Sequence, residues 1–374
     1  MGAACAAAIA RAGLHVGLVE RDCVGGGATA AGMGHIVVMD DSMAQLSLTR
    51  YSQILWKTIA PTLPTNAEYD SCGTIWIARD DDEMAEAERK QAVYRDNDVP
   101  SHLLTTHQLA EHEPNLRPGL AGGLLVPEDA VVYSPCVALH LARDAQANGA
   151  ELFLGRSVTS MSGGELLLDD DSRLSAPRLV NAAGASSPQM TEGIPIKKRK
   201  GHLVITERYP GFLRHQVVEL GYLKSAHSIN TDSVAFNVQP RRTGQILIGS
   251  SRQYGNEDQA VDHEMLTAMM ERAVEFMPGI AGLSAIRAWT GFRAATPDKL
   301  PLIGPSLSDA STWLATGHEG LGITTSLGTA ALLADSFIGR APAISATEYL
   351  PARYAPPNPD ETKVVKEKVC NGEA

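Results

Sequence analysis

Short apolar runs of two periodicities alternate along this chain. GAACAAAIARAG (2–13) is a run of small residues stopped by Gly13 and predicts a helix. LHVGLVE behind it is a short apolar strand ending at Glu20, and GGGATAAGMGH (25–35) reads as a glycine-rich loop. Asp40, Asp41 and Ser42 can cap a helix to about Ile59, with Leu46, Tyr51, Ile54 and Leu55 near helical spacing and Pro61 and Pro64 closing it. GTIWIA (73–78) predicts a strand, followed by an acidic helix over 80–96. SPCVALHLARDAQANGA (134–150) carries Ser134 as N-cap, Pro135 at the first helical position and Gly149 past the end. The strand ELFLG (151–155) follows at once, as in half a βαβ unit, and RLVNAAGASS (178–187) reads as a buried strand opening into a small-residue turn.

The pattern changes at 201. HLVITE, SVAFNVQP and QILIGSSRQ are β-rich runs with a turn at 241–244, which predicts an antiparallel sheet inserted into an α/β protein. An amphipathic helix over 262–277 holds Met265, Met269 and Met270, read as packing residues. WLATG (313–317) and a helix over about 320–339 form a last α/β pair, and the Pro-rich, charged tail 355–374 is expected to be disordered. The expected fold is α/β (α+β): a Rossmann-like domain from 1–70, 134–200 and 286–350, and a second domain, built on a mainly antiparallel sheet, from 71–133 and 201–285.

Composition narrows the function classes. The 374 residues are 44% hydrophobic and 20% charged, an ordinary globular mix for two or three compact units. A net charge of −11 repels phosphate backbones and argues against nucleic acid as a partner. Cys5, Cys23, Cys72, Cys136 and Cys370 form no C-x-x-C, against a zinc site, an iron–sulfur cluster or a disulfide framework. No metal is expected. With no spanning apolar run or signal-peptide pattern, the expected place is the cytoplasm; a peripheral association with the inner membrane stays open.

A dinucleotide-binding βαβ unit needs a strand, G-x-G-x-x-G, a helix, a second strand and an acid for the ribose. Gly2 stands as the third glycine and Glu20 as the acid, whereas the first strand and first two glycines are not found. The expectation is weakened cofactor affinity and stability. Near the C-terminus, ATGHEGLGITTS takes a strand into a glycine-rich turn that opens a helix, whose N–H groups and positive end suit the N1/O2 edge of a flavin.

GGGATAAGMGH, VNAAGASS, WTGFRAATPDKLPLIGP (289–305) and LATGHEGLGITTSLGTAALLADSFIGR (314–340), in this order, resemble the D-amino-acid oxidase family of FAD-dependent amine oxidoreductases over roughly residues 1–350. The resemblance implies FAD, with hydride transfer from the amine-bearing carbon to flavin N5. It assigns cofactor contacts to Gly2, Glu20, Arg21, Ala28, Thr29, Ala30, Gly32, Val158, Ala183 and Gly184, and to the turn Gly317, His318, Glu319, Gly320, Leu321, Gly322, Ile323 and Thr324. Thr29 stands where some members attach flavin to a histidine, so non-covalent FAD is expected, with His35 as the alternative attachment point. Arg293 matches the family arginine that pairs with the substrate carboxylate through its planar fork. Residues 221–253 resemble members acting on glycine or D-hydroxyproline, which favours a proline- or hydroxyproline-like imino acid. Tyr222 and His227, with Lys224, Asn237 and His202, are the candidates on the substrate side.

The electron acceptor stays open between oxygen, a quinone and a partner subunit of a hetero-oligomer. The competing readings are a flavin-defective, non-catalytic subunit and a same-fold FAD enzyme acting on a hydroxy acid.

Overall fold

A computed structural model describes residues 1–221 and 232–355. Tyr222, Lys224, His227 and the tail beyond Ala355 lie outside the described residues.

The helix Gly2–Arg11 buries Ala3, Ala4, Cys5, Ala6, Ala7 and Ala10. Small side chains let it sit close between the helices Ser134–Ala147 and Ser326–Ile338. Beside these helices the parallel layer is in two pieces. The strand Gly17–Glu20 pairs parallel with Glu151–Leu154. The strand Leu179–Asn181 pairs parallel with Thr312–Thr316, which pairs antiparallel with Leu302–Pro305. Among the described residues no strand joins the two pieces. The start of the first helix points between them: a Cβ on Gly2 would meet Leu18 Cδ1 at 3.5 Å and Ala182 Cβ at 3.8 Å.

The second layer is one eight-stranded sheet. Its order is Ala285–Ala295, Lys197–Thr206, Ile246–Arg252, Ser233–Pro240, Gln216–Glu219, Thr74–Ala78, Gly122–Val126 and His102–Thr105. All neighbours are antiparallel except Gln216–Glu219 with Thr74–Ala78. The two-residue period of its strands separates two faces. Ile75, Val217, Phe236, Val238 and Ile248 form a core with the helix His263–Phe276, where Phe236 stacks on Phe276 at 4.9 Å. Met269 of that helix is fully buried there. The opposite face presents Trp76, Val218, Asn237, Leu247, Leu203 and Trp289 from successive strands, toward the parallel layer.

Two local expectations change. Tyr133, not Ser134, is the N-cap of its helix; the Ser134 hydroxyl instead donates to Thr29 O at 2.8 Å and anchors the glycine-rich loop. The C-terminal helix begins at Ser326 rather than near 320. Glu319 is left-handed (φ 47°), and Gly320, Gly322 and β-branched Ile323 and Thr324 weaken helix formation ahead of it. The strands His102–Thr105 and Gly122–Val126 and the meander of Val158–Ser162, Glu165–Leu168 and Arg173–Ser175 carry too few residues each to show a period. No helix among the described residues is long and apolar enough to cross a membrane.

Candidate active site

A continuous cavity of about 1890 Å³ lies between the parallel layer and the inner face of the large sheet. Small-molecule pockets usually hold ~300–1,000 Å³, so this one has room for an extended dinucleotide and a second small molecule. Its wall contains Gly2, Glu20, Arg21, Ala28, Thr29, Ala30, Gly32, Val158, Ala183 and Gly184, the turn from Gly317 through Ile323, and Arg293. The candidates thus come from five separate stretches of sequence to one surface. Asn237 joins them, whereas Thr324 and His202 do not.

Thr324 is fully buried behind the wall. Its hydroxyl donates to His35 O at 2.9 Å, and its carbonyl accepts from Trp56 Nε1 at 2.8 Å. It ties the glycine-rich turn to the loop before it. His202 points to the other face of the sheet. Its Nε2 accepts from Asp262 N at 3.0 Å, which leaves the ring proton on Nδ1, 2.8 Å from Ser251 Oγ.

Two further histidines brace the turn. His35 Nε2 donates to Gly320 O at 3.1 Å, leaving Nδ1 as a buried lone pair with no partner among the described residues. Burial lowers its pKa to about 4. His318 Nε2 meets Thr329 Oγ1 at 3.0 Å, and burial lowers its pKa to about 3. Both rings are neutral near pH 7. Gly317 needs to be glycine: its φ is +79°, and a Cβ there would come within 2.7 Å of Thr296 Cγ2.

Charge is concentrated at the other side of this turn. Arg199 and Arg293 are register partners on adjacent strands. Arg199 Nη1 donates to Glu319 Oε1. Burial opposes the charge on Glu319, but Arg252, Arg199 and Arg293 together hold its carboxyl below the usual range. Arg293 lies over Gly201 and donates from Nη1 to Ser251 O at 3.0 Å. Arg199, Arg252 and Arg293 thus gather beside Glu319 on the cavity wall, a concentration of cationic groups that suits an anionic ligand. The register alone reveals Arg199 and Arg252. Nothing in KKRKG or GSSRQ distinguishes a cavity-facing arginine from a solvated one.

These surfaces fit a flavin dinucleotide. Ala28, Ala30, Gly32, Ala183, Gly184, Gly320 and Gly322 leave backbone rather than side chain along the wall. The Glu20 carboxylate stands at a strand end, oriented by Asp22 N at 3.0 Å.

The family model described as FAD dependent oxidoreductase (DAO) matches residues 1–336. The chain belongs to this family. The DAO-family chain is 27% identical over 364 residues to a glycine oxidase of Pseudomonas aeruginosa, covering 92% of this chain and 94% of the relative. It is 28% identical over 301 residues to the hydrogen cyanide synthase subunit HcnC of the same organism, covering 77% and 68%. Among solved structures, glycine oxidase from Geobacillus kaustophilus superposes with a TM-score of 0.84 at 24% identity, over 95% of this chain and 96% of that one. L-proline dehydrogenase from P. horikoshii gives 0.82 at 21%, over 94% of each. The fold is therefore that of DAO enzymes, and FAD is the cofactor of this oxidoreductase. When bound, FAD supplies the two-electron acceptor; the residues of this chain hold it and orient what it oxidises.

Proposed function

We propose that this DAO-family enzyme oxidises the C–N bond of a small amino or imino acid, with a proline- or hydroxyproline-like substrate favoured. One observation carries the reading. The Arg293 guanidinium stands in the same cavity as the glycine turn 317–322, packed on Gly201 and fixed by Ser251 O. A planar fork held in this way binds a carboxylate through two parallel hydrogen bonds and fixes the adjacent carbon in space. The Pseudomonas aeruginosa relative supports the amine rather than the alcohol reading, since it is named glycine oxidase.

The residues about the cavity fit a non-covalent cofactor. Thr29 is no attachment point, and His35 is engaged at Nε2 by Gly320 O. Assembly with a partner subunit is part of the proposal. Its support is that one relative is itself named a subunit.

The test is an anaerobic visible spectrum of the purified protein before and after D-proline and cis-4-hydroxy-D-proline. The expected result is flavin bands that bleach, with a bleaching rate that rises with pH as the amine loses its proton. Arg293→Ala is expected to raise KM about a hundredfold or more, the loss of a charge-assisted pair. Bands that bleach with a hydroxy acid and not with any amine would overturn the reading.

A further inference from the structure

The inner face of the large sheet carries a set of polar groups that neither the fold nor the carboxylate site uses. Trp76, Gln216, Asn237 and Ser250 all line the cavity. They are 2%, 3%, 7% and 4% exposed. Trp76 Nε1, Gln216 Oε1, Asn237 Oδ1 and Ser250 Oγ have no hydrogen-bond partner among the described residues. A buried polar atom left unpaired costs about 1–3 kcal/mol. Four on one wall of one cavity are a concentrated expense, and such groups are normally paired.

The register places Asn237 and Ser250 close together on neighbouring strands, with Trp76 and Gln216 further along the same wall. Trp76, Val218 and Asn237 are successive partners across three strands. Gln216 lies two residues before Val218 and so shares its face. Asn237 is paired with Gly249, which has no side chain of its own; Leu203 and Met33 lie over that glycine. Ser250 follows Gly249, and the next residue, Ser251, is the one whose carbonyl holds Arg293. Asn237 aligns through Gly249 with Leu203, so two strand spacings of ~4.8 Å and a two-residue offset of ~3.4 Å per residue put its backbone about 12 Å from that of Gly201, on which the Arg293 guanidinium lies. One small molecule with its carboxylate on Arg293 spans this distance.

We propose that Asn237 and Ser250 form a subsite for a hydroxyl group on the substrate, on the side away from its carboxylate. Both groups are neutral, and between them they donate and accept, as a hydroxyl does. They suit a neutral polar substituent better than a second charge. The inference rests on the amino-acid reading above and narrows it to hydroxylated amino or imino acids.

The experiment compares kcat and KM of the holoenzyme for proline and for 3- and 4-hydroxyproline, each in both configurations. One hydroxylated isomer is expected to exceed proline in kcat/KM by about a hundredfold or more, because a site built to bond a hydroxyl rejects the analogue without it. Ser250→Ala and Asn237→Leu are expected to reduce that ratio at least tenfold, mainly through KM. Retained flavin absorbance checks that each variant folds, and Ser250→Ala is the smaller perturbation should Asn237→Leu fail. A wild-type ratio near one, an equal loss on both substrates, or a preference for a dicarboxylic amine would overturn the subsite while leaving amine oxidation standing. No bleaching by any amine would overturn the amine reading and the subsite with it.

Discussion

A Cβ on Gly201 would sit 2.4 Å from Nη1 of Arg293. The guanidinium is therefore held against bare backbone, and the absence of a side chain at 201 sets its height in the cavity. Gly201→Ala is expected to push the fork aside and raise KM about ten- to a hundredfold, since small displacements of a positioning group carry that penalty. Thermal stability changes little, because the group that gives way is the far end of a long, flexible side chain. Steady-state kinetics beside a melting curve separate the two effects. A variant with lower stability and unchanged KM would refute this placement of the arginine.

The pair Arg199–Glu319 is almost shut off from water, with side chains 4% and 15% exposed. Removing one partner of such a pair leaves a buried charge, at a cost of about 3–5 kcal/mol in the general case. Here Arg252 and Arg293 also act on Glu319, so Arg199→Met is expected to fall at or below the low end. Adding Glu319→Gln to Arg199→Met is expected to recover part of the loss. Urea unfolding of the two variants checks this. A double variant less stable than Arg199→Met alone would show that Glu319 does not depend on Arg199.

The pH dependence of stability has two arms of opposite sign. Burial raises the pKa of Asp129 to about 7 from an ordinary 3.8, although Val38 N and Gln53 Nε2 both donate to its Oδ1. Between these values the folded chain binds the extra proton, so stability falls as pH rises to about 7. At roughly 1.4 kcal/mol per pKa unit the upper bound is about 4 kcal/mol. Asp129→Asn removes the titration, and its advantage over the parent is expected to grow from pH 5 to pH 8. His35 and His318 act in the other direction. Their folded values of about 4 and about 3 lie below the ordinary 6.5, so the unfolded chain takes up protons first and stability falls as pH drops below 6.5. Denaturation midpoints across pH 4–8, for the parent, Asp129→Asn and His318→Gln, resolve both arms. An Asp129→Asn advantage that does not vary with pH would remove Asp129 from the first.

Much of the layout follows from local pattern. The small-residue helix at 2–11, the strand ending at Glu20 and the Ser42 cap, whose hydroxyl accepts from Gln45 N at 3.1 Å, are all visible in the sequence because each depends on neighbours in the chain. The motif order from GGGATAAGMGH to ATGHEGLGITTS likewise carries the resemblance to a flavin-enzyme family, since it is read along the chain itself. What lies across the cavity from those motifs is a matter of register. Arg199 faces Arg293, Asn237 faces Gly249, and Trp76 aligns with Val218 only because strands distant in sequence pair residue by residue. A shift of one residue would turn each of them to the opposite face. Thr324 and His202 show the same limit from the other side. Both stand in the right stretches of sequence, yet their hydrogen bonds brace the wall from behind. The sequence by itself determined the layers and the cofactor class and singled out Arg293; only the tertiary structure decided which polar side chains share the cavity with it, because strand pairing, not sequence proximity, selects the face.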